Sequence, residues 1–218
     1  MLSFKKITLL LATVLLPFSA MAQNKGIDLL REMETKFQNL KSVAGNFQQT
    51  RADADFGTKQ TSPGTFRLLK PGYFHMIYND PSQTQQLIYE NTHYFYVGSL
   101  RQLSTYKFKN SNSVQDINFL VLGFGAKADD VQKVFKVDAT ASGSGIKLTP
   151  RNPQQATYEY ISIEVDPQSL YPKTFTMREP NKTEVSVSLD LSTLQVNPQL
   201  TADHFKPNFP KDVKPVQF

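Results

Sequence analysis

Tyr73-Phe74-His75-Met76-Ile77-Tyr78, Leu87-Ile88-Tyr89 and Tyr94-Phe95-Tyr96-Val97 are three short runs that are apolar or aromatic at successive positions. Successive side chains of a strand point to opposite faces, so strands of this texture must be shielded from water on both sides. Residues 184–191 read differently. Val185, Val187, Leu189 and Leu191 alternate with Glu184, Ser186, Ser188 and Asp190, and Ile161, Ile163 and Val165 alternate with Ser162 and Glu164. That is the pattern of a sheet with one wet face. The chain therefore predicts one sheet of two textures, with an aromatic early half and a late half that is apolar on one side only.

Working outward, further strands are predicted at Val43–Ala52, Phe56–Leu69, Gln102–Phe108, Phe135–Ala141, Gly145–Thr149, Tyr158–Val165, Lys173–Arg178 and Glu184–Leu194. With Tyr73–Tyr78, Gln85–Tyr89 and His93–Val97 these make about eleven. Pro63-Gly64, Pro71-Gly72, Asp80-Pro81 and Glu90-Asn91 are turn or boundary signals in or between them. Short strands joined mostly by short turns predict a mainly β chain, an antiparallel sheet that is curled or barrel-like. Three helical pieces are left over. Ile27, Leu30, Met33, Phe37 and Leu40 lie at helical spacing over Ile27–Leu40, Val114–Leu122 carries Val114, Ile117, Leu120 and Val121 on one face, and Asp129–Val134 supplies a turn or two more. The proline-rich tail from Asn197 is expected to lie over the sheet. The spare helices are natural covers for the aromatic half. Parity alone fits an ordinary closed core. The 16 Phe and 9 Tyr, on strands whose helical cover is interrupted by Gly123 and Gly125, point further, to an apolar cavity beneath a lid that can open.

Lys5 and Lys6, the apolar run Ile7–Phe18 and Ala20-Met21-Ala22 read as a secretory leader over residues 1–22, leaving one expected domain over 23–218. The run is shorter than the roughly 20 residues a membrane span needs. The absence of cysteine excludes disulfides, thiol chemistry, thiolate metal sites and a lipidation cysteine after the leader, and it suits a bacterial periplasm. The net charge of +5 includes Lys5 and Lys6 and is spread along the chain without a basic cluster, so no nucleic-acid partner is expected, and membrane-surface contact would be weak and transient.

Chemistry is sparse. His75, His93 and His204 are far apart and fit no zinc spacing, so no metal is expected. No nucleophile elbow is present, and Gly143-Ser144-Gly145 reads as a turn. Gly123-Phe124-Gly125-Ala126-Lys127-Ala128 fits the loose dinucleotide pattern but lacks a β-α-β setting, so no cofactor is expected. Asp53 with Asp55, and Asp129 with Asp130, read as solvated loop charges. The chain is not expected to be an enzyme.

Four segments resemble a known family. They are Phe47-Gln48-Gln49 after an amphipathic first helix; Gly64-Thr65-Phe66-Arg67-Leu68-Leu69-Lys70-Pro71-Gly72-Tyr73-Phe74; Glu90-Asn91-Thr92-His93-Tyr94-Phe95; and Asp203-His204-Phe205-Lys206-Pro207-Asn208-Phe209-Pro210-Lys211-Asp212-Val213. In order and spacing they are similar to the periplasmic outer-membrane lipoprotein carrier proteins (the LolA family), from about Ile27 to Val213. Departures are Lys70 for an arginine, Phe66 and Phe95 for tryptophans, Glu90-Asn91 for Asp-Gly and Asp212 for a glycine. The resemblance implies an incomplete, half-open antiparallel barrel of about eleven strands under a helical lid. It implies a periplasmic monomer that takes lipoprotein acyl chains from an inner-membrane ATP-driven transporter to an outer-membrane acceptor. On that basis Phe47, Phe66, Leu68, Phe74, Met76 and Phe95 are expected to line the cavity, with Phe74 foremost. Leu30, Met33, Phe37, Ile117, Leu120 and Val121 are expected in the lid, and Lys70 as its latch. Carriage of another lipid or glycolipid, or lipoprotein sensing on the same scaffold, remain the alternatives.

Overall fold

The computed structural model describes residues 24–108 and 119–216, so the expected leader lies outside it. Helix α1 (Lys25–Lys36) starts where the Asn24 side chain accepts from the Gly26 and Ile27 amides. It is shorter than the predicted Ile27–Leu40, because the chain tightens after Lys36 and Leu40 N–H donates to the Phe37 carbonyl. Phe37 and Leu40 are nonetheless buried.

Six strands follow as an antiparallel meander: β1 (Ser42–Asp53), β2 (Thr58–Leu69), β3 (Tyr73–Tyr78), β4 (Thr84–Tyr89), β5 (Thr92–Val97) and β6 (Gln102–Lys107). Glu90 and Asn91 form the two-residue β4–β5 turn, both with left-handed backbone (φ 45° and 60°), which suits the sheet's twist. Pro63-Gly64 is not a turn but lies inside β2, paired with Gln48 and Phe47. The glycine is needed there, since a Cβ on Gly64 would lie 2.5 Å from the Phe47 ring.

The chain then crosses the molecule through α2 (Phe119–Gly123) and α3 (Ala128–Val134). Of the predicted helix Val114–Leu122, the part before Phe119 lies outside the described residues. Asp129 and Asp130, read as loop charges, sit in the first turn of α3. A second meander follows: β7 (Phe135–Ala139), β8 (Gly145–Pro150), β9 (Tyr160–Val165), β10 (Pro172–Arg178) and β11 (Thr183–Leu189). Strand β11 pairs with β1 and joins the halves. The predicted strand Glu184–Leu194 stops at Leu189, because Asp190 caps a 3₁₀ turn over Leu191–Thr193. It resumes as β12 (Gln195–Val196) against the start of β1, and β13 (Lys214–Val216) adds a parallel edge to β6.

The result is a 13-stranded sheet running from β13 to β7 without closing, instead of about eleven strands; the additions are β12 and β13, both too short for periodicity to register. It curls far enough for Tyr106 of β6 and Phe135 of β7 to line one cavity of about 500 Å³. The fold is thus mainly β, half-open and antiparallel but for one edge pair.

Both faces of the aromatic half are covered, as its texture demands. Phe66, Leu68, Phe74 and Met76 point inward, beneath the helices. Tyr73 and His75 point outward, beneath the tail. Phe205, wholly buried, packs on Tyr73, and Phe209 packs on Tyr94 and Tyr96. Asn197 fastens the tail by accepting from the Lys41 and Ser42 amides, and Arg101 pairs with Asp212 near β13.

Under the tail, Arg67 lies over the Phe205 ring at 5.5 Å and donates to His75 Nδ1 at 2.8 Å, while His75 Nε2 donates to Gln85. Burial, reinforced by the Arg67 charge and opposed by the Gln85 hydrogen bond, pushes the His75 pKa down to about 4. The unfolded chain therefore binds the extra proton between pH 6.5 and 4. Stability should be fully present above pH 6.5 and fall as the pH drops through that window, by on the order of 3 kcal/mol from this group. His75→Gln should flatten that slope in denaturant titrations; an unchanged slope would contradict the burial argument. Phe205→Ala should cost about 3 kcal/mol by thermal or chemical unfolding, whereas a tail resting loosely on the sheet would cost almost nothing.

Candidate functional site

The inner face is built by strand pairing. Register puts Phe47 beside Gly64, Phe66 beside Met76, Leu68 beside Phe74 and Phe74 beside Ile88, so five of the expected lining residues form one apolar wall, each 1–3% exposed. From the other half, Phe175 of β10, Ile161 and Ile163 of β9, and Val187 of β11 complete the core. Phe95 does not join this wall. It is two strands beyond Met76, half-buried, and lines a recess with Gln86, Gln49 and Tyr78.

The cover over the wall comes from three places. Leu30 and Met33 of α1 and Phe37 just after it contribute, all three buried. Val121 is half-buried on α2 and packs against the core, while Ile117 and the Leu120 side chain lie outside the described residues. The third contributor is one that sequence reasoning passed over. Phe124, wholly buried, follows α2 and sits between the two halves, with ring centroids 5.8 Å from Phe37, 6.4 Å from Phe66 and 6.5 Å from Phe175. Its flanking glycines make this possible. A Cβ on Gly123 would fall 2.5 Å from the Phe175 ring, and Gly125 has φ +89° with Phe37 2.7 Å from where its Cβ would be. The Gly-Phe-Gly stretch set aside as a chance nucleotide pattern is thus a plug; one large apolar residue between two glycines was the available signal.

Polar contacts tie the cover down at few points. Glu34 of α1 accepts from the Ala128 amide that opens α3, joining the two helices. Lys70, between β2 and β3, donates to the Phe37 carbonyl at the end of α1 at 3.1 Å. Its ammonium meets the negative end of the helix dipole there, and burial draws its pKa below the usual lysine value. Among the described residues Lys70 has no carboxylate partner. Asn24 at the start of α1 donates to the Val137 carbonyl of β7 at 3.0 Å, and Arg151 Nε donates to the Gln132 carbonyl of α3 at 2.8 Å, while the contacts over the wall itself are made by Phe37, Phe124 and Leu122.

The interior is filled in this state. Phe37, Phe124 and Phe175 occupy the space over the wall, so an apolar cavity exists only to the extent that this cover moves. Among the described residues no group of three His, Cys, Asp or Glu side chains converges as a metal site would require. Tyr78, whose hydroxyl meets Gln49 and Gln86 at 2.8 Å each, is pushed by burial up to about 12 and is no acid or base at neutral pH.

The chain is similar to several known proteins. An outer-membrane lipoprotein carrier protein of Francisella tularensis is 30% identical over 143 residues, covering 65% of this chain and 66% of that relative. One from Neisseria meningitidis is 26% identical over 194 residues, covering 89% and 88%. A LolA superfamily protein of Nitrosomonas europaea superposes with a TM-score of 0.42 at 10% identity, over 82% of this chain and 97% of that one. The family model for the outer membrane lipoprotein carrier protein LolA matches residues 38–208, a span that holds Phe47, Lys70, Phe74, Phe124 and the tail residue Phe205, and the chain belongs to that family.

Proposed function

We propose that this chain is a periplasmic carrier that binds the acyl chains of lipoproteins against the wall of Phe47, Phe66, Leu68, Phe74 and Met76 and moves them between membranes. The observation that carries the reading is Phe124, an aromatic plug held between two glycines over an apolar wall in a sheet that does not close. Binding rather than catalysis is the role such a site supports.

The energetics favour a removable cover. Each methylene exposed to water costs about 0.8 kcal/mol, so a chain of roughly fifteen costs on the order of 12 kcal/mol. No lipoprotein leaves a membrane unaided at that cost. A carrier must beat water but still release to an acceptor. In the closed state Phe37 and Phe124 satisfy the wall. As acyl chains enter, the plug withdraws and its lost packing is subtracted from the binding free energy, which keeps affinity moderate. Lys70 holds the end of α1 by a single hydrogen bond that can be remade, and so serves as the latch. Lysine in place of arginine offers a point charge without a planar fork, consistent with a light fastening. Loading by an inner-membrane ATP-driven transporter and delivery to an outer-membrane acceptor complete the cycle.

Two variants separate this reading from that of a permanently closed core. Phe124→Ala should lower stability by about 3 kcal/mol yet bind a fluorescent fatty-acid probe more tightly than the parent, since the competing plug is smaller. Probe affinity that stays constant or drops would count against a displaceable plug. Phe74→Glu should keep a cooperative unfolding transition, because the lid can part to hydrate the carboxylate, but lose lipoprotein transfer between membranes. Normal transfer by that variant would remove Phe74 from the site.

A further inference from the structure

The inner face changes character at one height on four neighbouring strands. On β1 the inward positions run from Val43 and Phe47 to Gln49; on β2 from Leu68 and Phe66 to Ser62; on β4 from Ile88 to Gln86 and Thr84. On β3 the change falls within one residue, Tyr78, whose ring stacks edge-on to Phe47 while its hydroxyl reaches the polar side. Beyond that height lies a recess of about 500 Å³ that opens at the turns joining β1 to β2 and β3 to β4.

The charges at this recess are already met. Arg51 is held by both oxygens of Glu179 at 3.1 and 3.2 Å, and the Asp80 carboxylate accepts from Ser62 and Ser82. What remains is neutral hydrogen-bonding capacity. Tyr78 donates to the Gln49 carbonyl oxygen and accepts from the Gln86 amide nitrogen. That leaves the Gln49 amide nitrogen and the Gln86 carbonyl oxygen without a partner among the described residues, a donor and an acceptor on the two side chains that share the Tyr78 hydroxyl. A group that presents both a carbonyl and an N–H complements this pair; an ester presents only acceptors.

We infer that the recess takes the peptide units immediately next to the acyl chains of the cargo, with Gln49 donating to a peptide carbonyl and Gln86 accepting from a peptide N–H. The inference rests on the carrier reading above and adds which part of the cargo, beyond its chains, the protein recognises. It makes the inner surface amphiphilic in the same sense as the cargo. A peptide unit drawn toward an apolar wall needs such partners, because an unmet amide there is costly.

The test uses the purified chain and displacement of a fluorescent fatty-acid probe by three competitors of equal chain length: palmitate, a palmitoyl-Ser-Ser amide and hexadecyl glucoside. In a Gln49→Leu/Gln86→Leu variant, affinity for the palmitoyl dipeptide should fall on the order of tenfold while palmitate stays within about twofold. Tyr78→Phe, which removes the hydroxyl that orients both amides, should give the same selective loss to a smaller degree and decides the matter should the double variant not fold. Equal losses for palmitate and dipeptide, or no loss for either, would overturn the assignment and leave acyl carriage standing. An equal loss for the glucoside would overturn it in favour of a sugar. If the parent chain displaces none of its probe with any competitor, the carrier reading itself fails.

Discussion

The early strands are apolar on both faces, and everything else in the molecule answers that constraint. A sheet of this kind has no face to give to water, so it needs two covers. The chain supplies them from its two flanks and its middle. Helix α1 and the α2–α3 crossing lie on the inner face, and the tail, through Phe205 and Phe209, lies on the outer one. The same constraint explains the topology. To lay helices over the inside of the curl, the chain leaves β6, one strand in from the β13 edge, and re-enters as β7 at the opposite edge.

The two covers are attached differently, and the difference bears on function. The tail is bonded to the sheet at both ends, by Asn197 at β1 and by the β13 ladder and Asp212 at β6, and its aromatic rings meet a part-buried polar network of Arg67, His75 and Gln85 in between. Directional bonds at many points make such a contact all-or-none. The inner cover is fastened by Lys70 and Glu34, by Asn24 donating to the Val137 carbonyl and by Arg151 donating to the Gln132 carbonyl, and over the wall itself it is held by packing of Phe37, Phe124 and Leu122. Apolar contact is non-directional, so one greasy surface can be exchanged for another with little loss. In the proposed carrier role, a cover of that kind suits replacement by acyl chains, and the outer seal would preserve the sheet meanwhile.

Period-two and helical spacing, read along the chain, determined a great deal: the positions of eleven strands and of the first and third helices, the two textures of the sheet and the turn at Glu90-Asn91, while the set Phe47, Phe66, Leu68, Phe74 and Met76 came from the family resemblance. The former are local properties, since the face a side chain takes follows from its parity within a strand. Tertiary structure alone decided the rest. That Pro63-Gly64 lies mid-strand follows from Phe47 needing room on the adjacent strand. That Phe95 faces a polar recess and not the apolar wall depends on which strands stand beside it. That Phe124 is the plug depends on Gly123 and Gly125 lying against Phe175 and Phe37, residues distant in sequence. Spacing tells which residues must be hidden; only the assembled sheet, with its cross-strand neighbours and its crossing segment, specifies what hides them.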